Sequence, residues 1–151
     1  MSLADDAVEA RAQGWRTLAV LHARIDEAIE RALQREHELS VSEYTVLDVL
    51  GRQDGFYLRM SQLSNAVVLS QSATTRLVSR LEDRGLLRRY LCPTDRRGVY
   101  TEVTDTGQAL LDAARPTHDT VLANALVQAG RQPELAPLVS ALATLTIPAA
   151  R

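Results

Sequence analysis

The chain has 151 residues, of which 46% are hydrophobic, and a formal net charge of −2 at pH 7. This length and composition fit one globular domain, and the charge excludes a protein that coats nucleic acid through bulk positive charge. A single cysteine, Cys92, excludes an internal disulfide framework and a cysteine-rich zinc site. The sequence has no run of 18 apolar residues and starts with an acidic segment. It therefore predicts a cytoplasmic protein with no membrane span.

The N-terminal part predicts a long helix over about residues 9–35. Large side chains recur there at spacings of three and four: Trp15, Leu18, His22, Ile25, Ile29 and Leu33. Because such a helix is longer than a small domain needs for its own core, we expect it to pack against a second subunit.

A second helix is predicted from a capping box. Ser40 and Glu43 have the spacing at which each side chain caps the other residue's backbone N–H. This predicts a helix through about Leu50, closed by Gly51 and a polar turn that ends at Gly55.

Two short helices joined by a tight turn are predicted next. Residues 56–58 can form a short strand, and Ser61 is expected to cap a helix through about Val68. The apolar side chains expected to be buried in this helix are Leu63, Ala66 and Val67. Ser70 then caps a helix over residues 71–84, and Gly85 ends it. Its inward face is Ala73, Leu77, Val78 and Leu81.

Residues 87–104 read as two strands joined by a charged turn. A hairpin directly after two short helices predicts a winged helix-turn-helix over residues 40–104. A helix from 105 or 106 through Pro116 to about Gln128, and a last helix over about 134–145, follow it. We therefore expect a mainly α fold with a small β-hairpin wing, as a single domain over 1–151. Residues 9–35 and 106–145 are its predicted dimerisation helices.

The outward face of the helix over 71–84 has the residues expected of a DNA-reading surface. Gln71 can pair bidentately with adenine, and Arg76 can reach guanine or phosphate. The hydroxyls at its start can donate to phosphates. The candidate DNA-binding residues here are Ser70, Gln71, Ser72, Thr75, Arg76 and Arg80.

The charged turn supplies the other candidate DNA contacts, Asp95, Arg96 and Arg97. Two adjacent guanidinium groups at a hairpin tip add nothing to folding, since exposed like charges repel. An arginine at this position can enter a narrow minor groove, with Asp95 holding Arg97 by a bidentate salt bridge. Residues 76–97 carry a net +4 and the rest of the chain −6, the pattern of a localised phosphate-binding face.

These segments resemble the MarR family of bacterial transcriptional regulators. The resemblance is most specific over residues 61–107, above all in the Asp-x-Arg at 95–97 and the Thr-x-x-Gly at 104–107. It implies a homodimer, built from the N- and C-terminal helices, that binds a pseudo-palindromic operator on double-stranded DNA. It also implies that a small-molecule or oxidant signal releases the DNA.

The effector is the less determined part of the prediction. A small aromatic or phenolic ligand is expected where the family places its pocket, with these candidate lining residues: Trp15, Leu18, His22, Tyr44 and Leu47. Plain packing explains the aromatic members of this set equally well. Cys92 offers a redox-responsive alternative, and the three histidines lack metal-ligand spacing, so no metal and no cofactor are expected.

Two other classes of protein would need different residues. A protein-interaction winged helix would not need the arginines of the turn or the polar row from Gln71 to Thr75. An enzyme would need a glycine-rich nucleotide loop, paired carboxylates or a nucleophile with its base, and the sequence has none of these, so no catalytic residue is predicted. The sequence therefore predicts a DNA-binding repressor.

Overall fold

A computed structural model describes residues 3–92, 94 and 98–145. This part of the chain contains six α-helices and three strands. The helices are α1 (Leu3–His37), α2 (Val41–Gly51), α3 (Met60–Val67), α4 (Gln71–Asp83), α5 (Asp105–Gly130) and α6 (Ala136–Thr144). The strands are β1 (Tyr57–Arg59), β2 (Leu87–Leu91) and β3 (Val99–Val103), with one 3-10 turn at Asp54–Phe56. No helix within the described ranges is both long enough and apolar enough to cross a membrane.

The chain divides into two compact units. One unit spans residues 32–118 and contains α2 to α4 and the sheet. The other is formed by residues 1–31 and 119–151, and the dividing points fall inside α1 and α5. The mainly α fold with a small β-hairpin is confirmed.

The unit over 32–118 is built on a leucine-rich core. Its fully buried large side chains include Leu33, Leu39, Leu47, Leu50, Leu63, Leu81, Leu87 and Leu111. Two threonines are buried with them, and each hydroxyl is satisfied. Thr74 donates to the carbonyl of Ser70 at 2.9 Å, and Thr101 donates to the sulfur of Met60.

The capping box of α2 is confirmed. The Ser40 hydroxyl accepts from the Glu43 backbone N–H at 3.0 Å, and the Glu43 carboxylate accepts from the Ser40 N–H at 3.0 Å. The start of α2 is therefore fixed by residues three positions apart in the chain, which is why the sequence alone could predict it.

The predicted start of α3 is wrong. Ser61 lies inside the helix, which begins at Met60 because the Gln62 side chain accepts from the N–H of Arg59 at 3.1 Å. Ala66 is exposed and Val67 only half-buried, contrary to expectation. An eight-residue helix buries one narrow stripe, and here Leu63 and Ser64 form it.

The three strands form one antiparallel sheet in the order β1-β3-β2. β3 pairs with β2 from Leu87 opposite Val103 to Leu91 opposite Val99, and with β1 through Leu58 opposite Thr101. The predicted hairpin of β2 and β3 is confirmed. The third strand, β1, pairs with the other edge of β3.

The unit over 1–31 and 119–151 has a small core of its own. Leu21, Ala129 and Leu135 are buried, with Ile25, Leu138 and Val139 packed against them. In the first half of the predicted stripe of α1, Trp15, Leu18 and His22 are exposed, whereas Leu21, which the stripe omits, is buried. The expected packing of the stripe against a second subunit stays a prediction.

The outer helices differ from their predicted bounds. α1 begins at Leu3, before the expected residue 9, and α6 begins at Ala136 with Pro137 in its first turn. No residue of α6 is buried, and Leu142 and Leu145 are exposed. The expected apolar face is therefore covered only in its first half, where Leu138 and Val139 pack on the small core next to Leu135.

Candidate nucleic-acid interface

Helix α4 presents the predicted polar face to solvent. The Ser70 hydroxyl caps it by accepting from the Ala73 N–H at 3.1 Å. Thr74, Leu77, Val78 and Leu81 are buried, with Ala73 half-buried beside them. The candidate DNA-binding side chains are all exposed: Ser70, Gln71, Ser72, Thr75, Arg76 and Arg80. One face of α4 is thus anchored in the core, and the opposite face is available to a partner.

The hydroxyl of Thr75 has a more restricted role than the sequence suggests. It donates its hydrogen to the carbonyl of Gln71 at 2.8 Å. A hydroxyl carries one hydrogen, so in this geometry Thr75 offers an acceptor and a methyl group and no donor for a phosphate.

The turn between α3 and α4 holds an unusual backbone conformation. Val68 has a φ of +56°, which is costly for a β-branched residue, and its side chain is 86% exposed. The N–H of Leu69 donates to the carbonyl of Ser64 at 3.2 Å and closes the turn. Because Val68 adopts the left-handed conformation, the turn is tight, and only residues 68–70 separate the end of α3 from the start of α4.

An ion pair fastens the hairpin to α4. The Arg89 side chain donates to Glu82 at 3.0 Å and to the Ser79 hydroxyl at 3.1 Å. The Arg89 backbone N–H donates to the second Glu82 oxygen at 2.9 Å. These hydrogen bonds from Arg89 hold the pKa of the Glu82 carboxyl below its usual range. β2 therefore keeps a fixed position along α4.

The Thr-x-x-Gly segment closes the other end of the hairpin. The Thr104 hydroxyl donates to the carbonyl of Gly85 at 2.6 Å and accepts from the N–H of Gly107 at 3.0 Å. A Cβ on Gly107 would collide with the carbonyl oxygen of Leu86. Thr104 thus joins the end of α4 to the start of α5, and glycine is needed where the two backbones approach.

The predicted DNA contacts of the turn, Asp95, Arg96 and Arg97, lie outside the described residues. The hairpin below them is closed by the N–H of Cys92, which donates to the carbonyl of Gly98 at 3.1 Å. Cys92 is half-buried, with its sulfur 3.2 Å from the Thr94 hydroxyl. A redox role for Cys92 stays a prediction.

A groove of about 290 Å³ lies beside α4, and one of its residues was missed by sequence reasoning. Gln71 and Thr75 line it together with Arg59 and Ser61. Arg59 was overlooked because it stands outside the basic segment over 76–97. Pairing β1 with β3 at the sequence level would have placed Arg59 opposite Tyr100 and so indicated its position.

The candidate effector residues fall in different units. Trp15, Leu18 and His22 are exposed on α1 in the unit over 1–31 and 119–151. Tyr44 and Leu47 are buried in the unit over 32–118, where the Tyr44 ring stacks on His118 with centroids 4.4 Å apart. Among the residues the structure describes, no group of three or more His, Cys, Asp or Glu could hold a metal ion.

A turn-linked helix pair with an exposed polar second helix, followed by a hairpin fastened to that helix, defines the winged helix-turn-helix class. The MarR family model matches residues 37–98. This match identifies the helix pair and the start of the hairpin as a MarR family segment.

Known relatives agree with this assignment. The HTH-type transcriptional regulator PecS of Dickeya dadantii is 34% identical over 103 residues, which are 68% of this chain and 61% of PecS. The uncharacterized HTH-type transcriptional regulator YkoM of Bacillus subtilis is 29% identical over 83% of this chain and 79% of its own. The chain thus spans less than two-thirds of PecS. These relatives are transcriptional regulators and not enzymes.

A solved structure shares the fold over nearly the whole chain. Sco3205, a MarR family transcriptional regulator from Streptomyces coelicolor crystallised in complex with DNA, has a TM-score of 0.74 and 26% identity. The match covers 95% of this chain and 88% of Sco3205.

Proposed function

We propose that the chain is a sequence-specific regulator of transcription that binds double-stranded DNA and acts as a repressor. The observation that carries the proposal is the exposed face of α4, held rigidly beside the hairpin by the Arg89–Glu82 pair. Such a helix can enter the major groove, where Gln71 pairs with adenine and Arg76 with guanine or phosphate. This function would place the protein in the cytoplasm with the chromosome.

The proposal includes a homodimer on a pseudo-palindromic operator. Large apolar side chains lie exposed in the unit over 1–31 and 119–151: Val8, Trp15, Leu18, Val20, Val127, Leu142 and Leu145. Exposed apolar groups of this number favour a covering partner, and a second copy is the simplest one. Two copies would present two α4 helices to two half-sites.

Release of the DNA by a small aromatic or phenolic effector is the remaining part of the proposal. It is supported by the family resemblance. Trp15, Leu18 and His22 are the accessible candidates, whereas Tyr44 and Leu47 already serve the core.

The direct test is selection of DNA from a genomic fragment library, followed by footprinting. We expect protection of two half-sites whose centres lie about 34 Å apart, one helical turn. Binding should weaken steeply with salt, because phosphate contacts release counterions. Protection of a single half-site would contradict the dimer, and retention of no preferred sequence would contradict the function.

A variant of the turn tests the wing. Arg97→Ala should weaken operator binding by about 1–3 kcal/mol and leave thermal stability unchanged, because the contact is made only to DNA. Arg131→Ala, which removes the same charge from an exposed residue just after α5, is the matched control and should bind as the wild type. Equal affinity of Arg97→Ala and the wild type would remove the wing from the proposal.

A further inference from the structure

The groove beside α4 combines a cation with polar side chains. Arg59 and Ser61 form one side, and Gln71 and Thr75 of α4 form the other. None of the described residues that line it carries a carboxylate. A groove of this composition attracts an anion, and it opens next to the face of α4 proposed to read bases.

Arg59 is held in place by a tyrosine on the neighbouring strand. The register sets Arg59 of β1 opposite Tyr100 of β3. The Arg59 Nε donates to the Tyr100 hydroxyl at 3.1 Å, and its guanidinium carbon lies 5.6 Å from the centroid of that ring. One side chain thus contacts both the hydroxyl and the face of Tyr100.

Tyr100 is itself braced by two further tyrosines. Its ring meets that of Tyr57 edge to face at 5.4 Å between centroids, and stacks on that of Tyr90 at 5.8 Å. Aromatic pairs at these separations restrict one another's orientation. The three rings make a rigid support on the face of the sheet that carries Arg59.

The contact between Arg59 and Tyr100 adds little to the free energy of folding, but it fixes the orientation of the Arg59 side chain. Arg59 is exposed, and a cation–π contact at an exposed site is worth only about 0.5–1 kcal/mol. Holding a long side chain in one geometry before binding lowers the entropy lost when it meets an anion. A guanidinium has five N–H donors in a planar fork that matches a phosphate.

We infer that Arg59 binds a backbone phosphate of the DNA beside the bases read by α4, and that Tyr100 is its positioning residue. The inference rests on the proposed function. In a helix-turn-helix the first helix crosses the DNA backbone while the second lies in the groove. Arg59 immediately precedes the first of these helices, α3. Its contact sets the register of α4 on the duplex and carries no sequence information.

The test measures DNA affinity over a series of salt concentrations on an operator and on unrelated DNA. Arg59→Ala should weaken binding about tenfold or more on both, since it removes one charge-assisted contact from each subunit. For the proposed dimer it should also reduce the slope of log K against log salt by about 1.8, since each of two phosphates accounts for about 0.9. Arg59→Lys keeps the charge without the fork, and should retain the slope with lower affinity.

Tyr100→Phe isolates the positioning role, because it removes the hydroxyl and keeps the ring. It should weaken binding about threefold in the wild-type background and have no further effect when Arg59 is already alanine. Tyr90→Phe is the matched control, since the same stack is altered at a tyrosine that does not bond Arg59, and it should bind as the wild type. Thermal unfolding of each variant verifies that the fold is intact.

The outcomes separate the two proposals. If the wild type selects no DNA sequence, the proposed function fails. If the wild type selects an operator and Arg59→Ala keeps its affinity and salt slope, only the phosphate contact is overturned. If Tyr100→Phe weakens binding equally with and without Arg59, Tyr100 acts on the sheet and is not a positioning residue.

Discussion

Glu82 shows how one side chain sets the geometry of the candidate interface. It lies on α4 and accepts two hydrogen bonds from Arg89 on β2, so its carboxylate joins the two elements. Charge-assisted hydrogen bonds of this kind are among the stronger polar contacts in proteins. The bonds between the hairpin and α4 are therefore strongest when Glu82 is ionised.

Replacing Glu82 by glutamine is expected to lower the free energy of unfolding by about 1 kcal/mol near neutral pH, because the bonds lose their charge. The folded pKa of Glu82 is lowered. The stabilisation is thus present above the ordinary pKa of glutamate and is lost as the pH falls from about 5 through the folded value. Chemical denaturation of both proteins between pH 7 and pH 3 measures this, and the two curves should converge in acid.

Glu27→Gln is the matched control for that experiment. Glu27 lies on the exposed side of α1, 3.9 Å from Arg31. An exposed pair of this kind contributes little, so its removal should leave stability within about 0.5 kcal/mol of the wild type. A stability difference for Glu82→Gln that does not change with pH would show that the carboxylate charge is not responsible.

The end of α4 is determined by local geometry. The N–H of Leu86 donates to the carbonyl of Leu81 at 2.9 Å, and the N–H of Gly85 donates to the backbone carbonyl of Glu82 at 2.9 Å. This is the Schellman pattern, and it requires the left-handed φ of +75° found at Gly85. The same turn supplies the carbonyl that Thr104 bonds, so the end of α4 also positions α5.

Gly85→Ala should lower the stability by about 1 kcal/mol, because alanine resists a left-handed backbone. An added Cβ would meet nothing within 4 Å, so backbone preference alone decides the sign. Gly14→Ala, in the interior of α1 and equally unobstructed, should instead raise the stability by about 1 kcal/mol. Thermal denaturation of the pair measures both effects, and a rise for Gly85→Ala would contradict the assigned turn.

Elements defined by neighbours in sequence were predictable, and elements defined by distant contacts were not. The capping box of α2 and the glycine after α4 involve residues at most four or five positions apart. The start of α3 was missed although its capping contact, from the Arg59 N–H to Gln62, is also local, because arginine is not an ordinary N-cap residue whereas the neighbouring Ser61 is. The Arg59–Tyr100 contact was not predictable, since 41 residues separate its members. Periodicity likewise missed the buried Leu21, because it cannot tell a core face from a face that awaits a partner.

At the scale of the whole molecule, the exposed apolar side chains of one unit set its expected assembly. Trp15 is 73% exposed and is the sole tryptophan of the chain. A homodimer that covers this part of α1 would bury it. Tryptophan emission therefore reports association without any added label.

Dilution of the protein should shift the tryptophan emission to the red as dimers dissociate, in step with the mass from analytical ultracentrifugation. Trp15→Ser should weaken dimerisation by about tenfold or more, since a large aromatic anchor is lost. Phe56→Ser removes an exposed aromatic from the other unit and should leave the dimer intact. A monomer at micromolar concentration with red emission would contradict the homodimer.

The strand order β1-β3-β2 has a mechanical consequence. β1 runs directly into α3, and β2 follows α4 after a short turn. The hairpin is thus joined to α4 through β2 and to α3 through the pairing of β3 with β1. We expect hairpin and helix pair to move together, so that a signal that repositions them would displace all of the proposed DNA contacts at once.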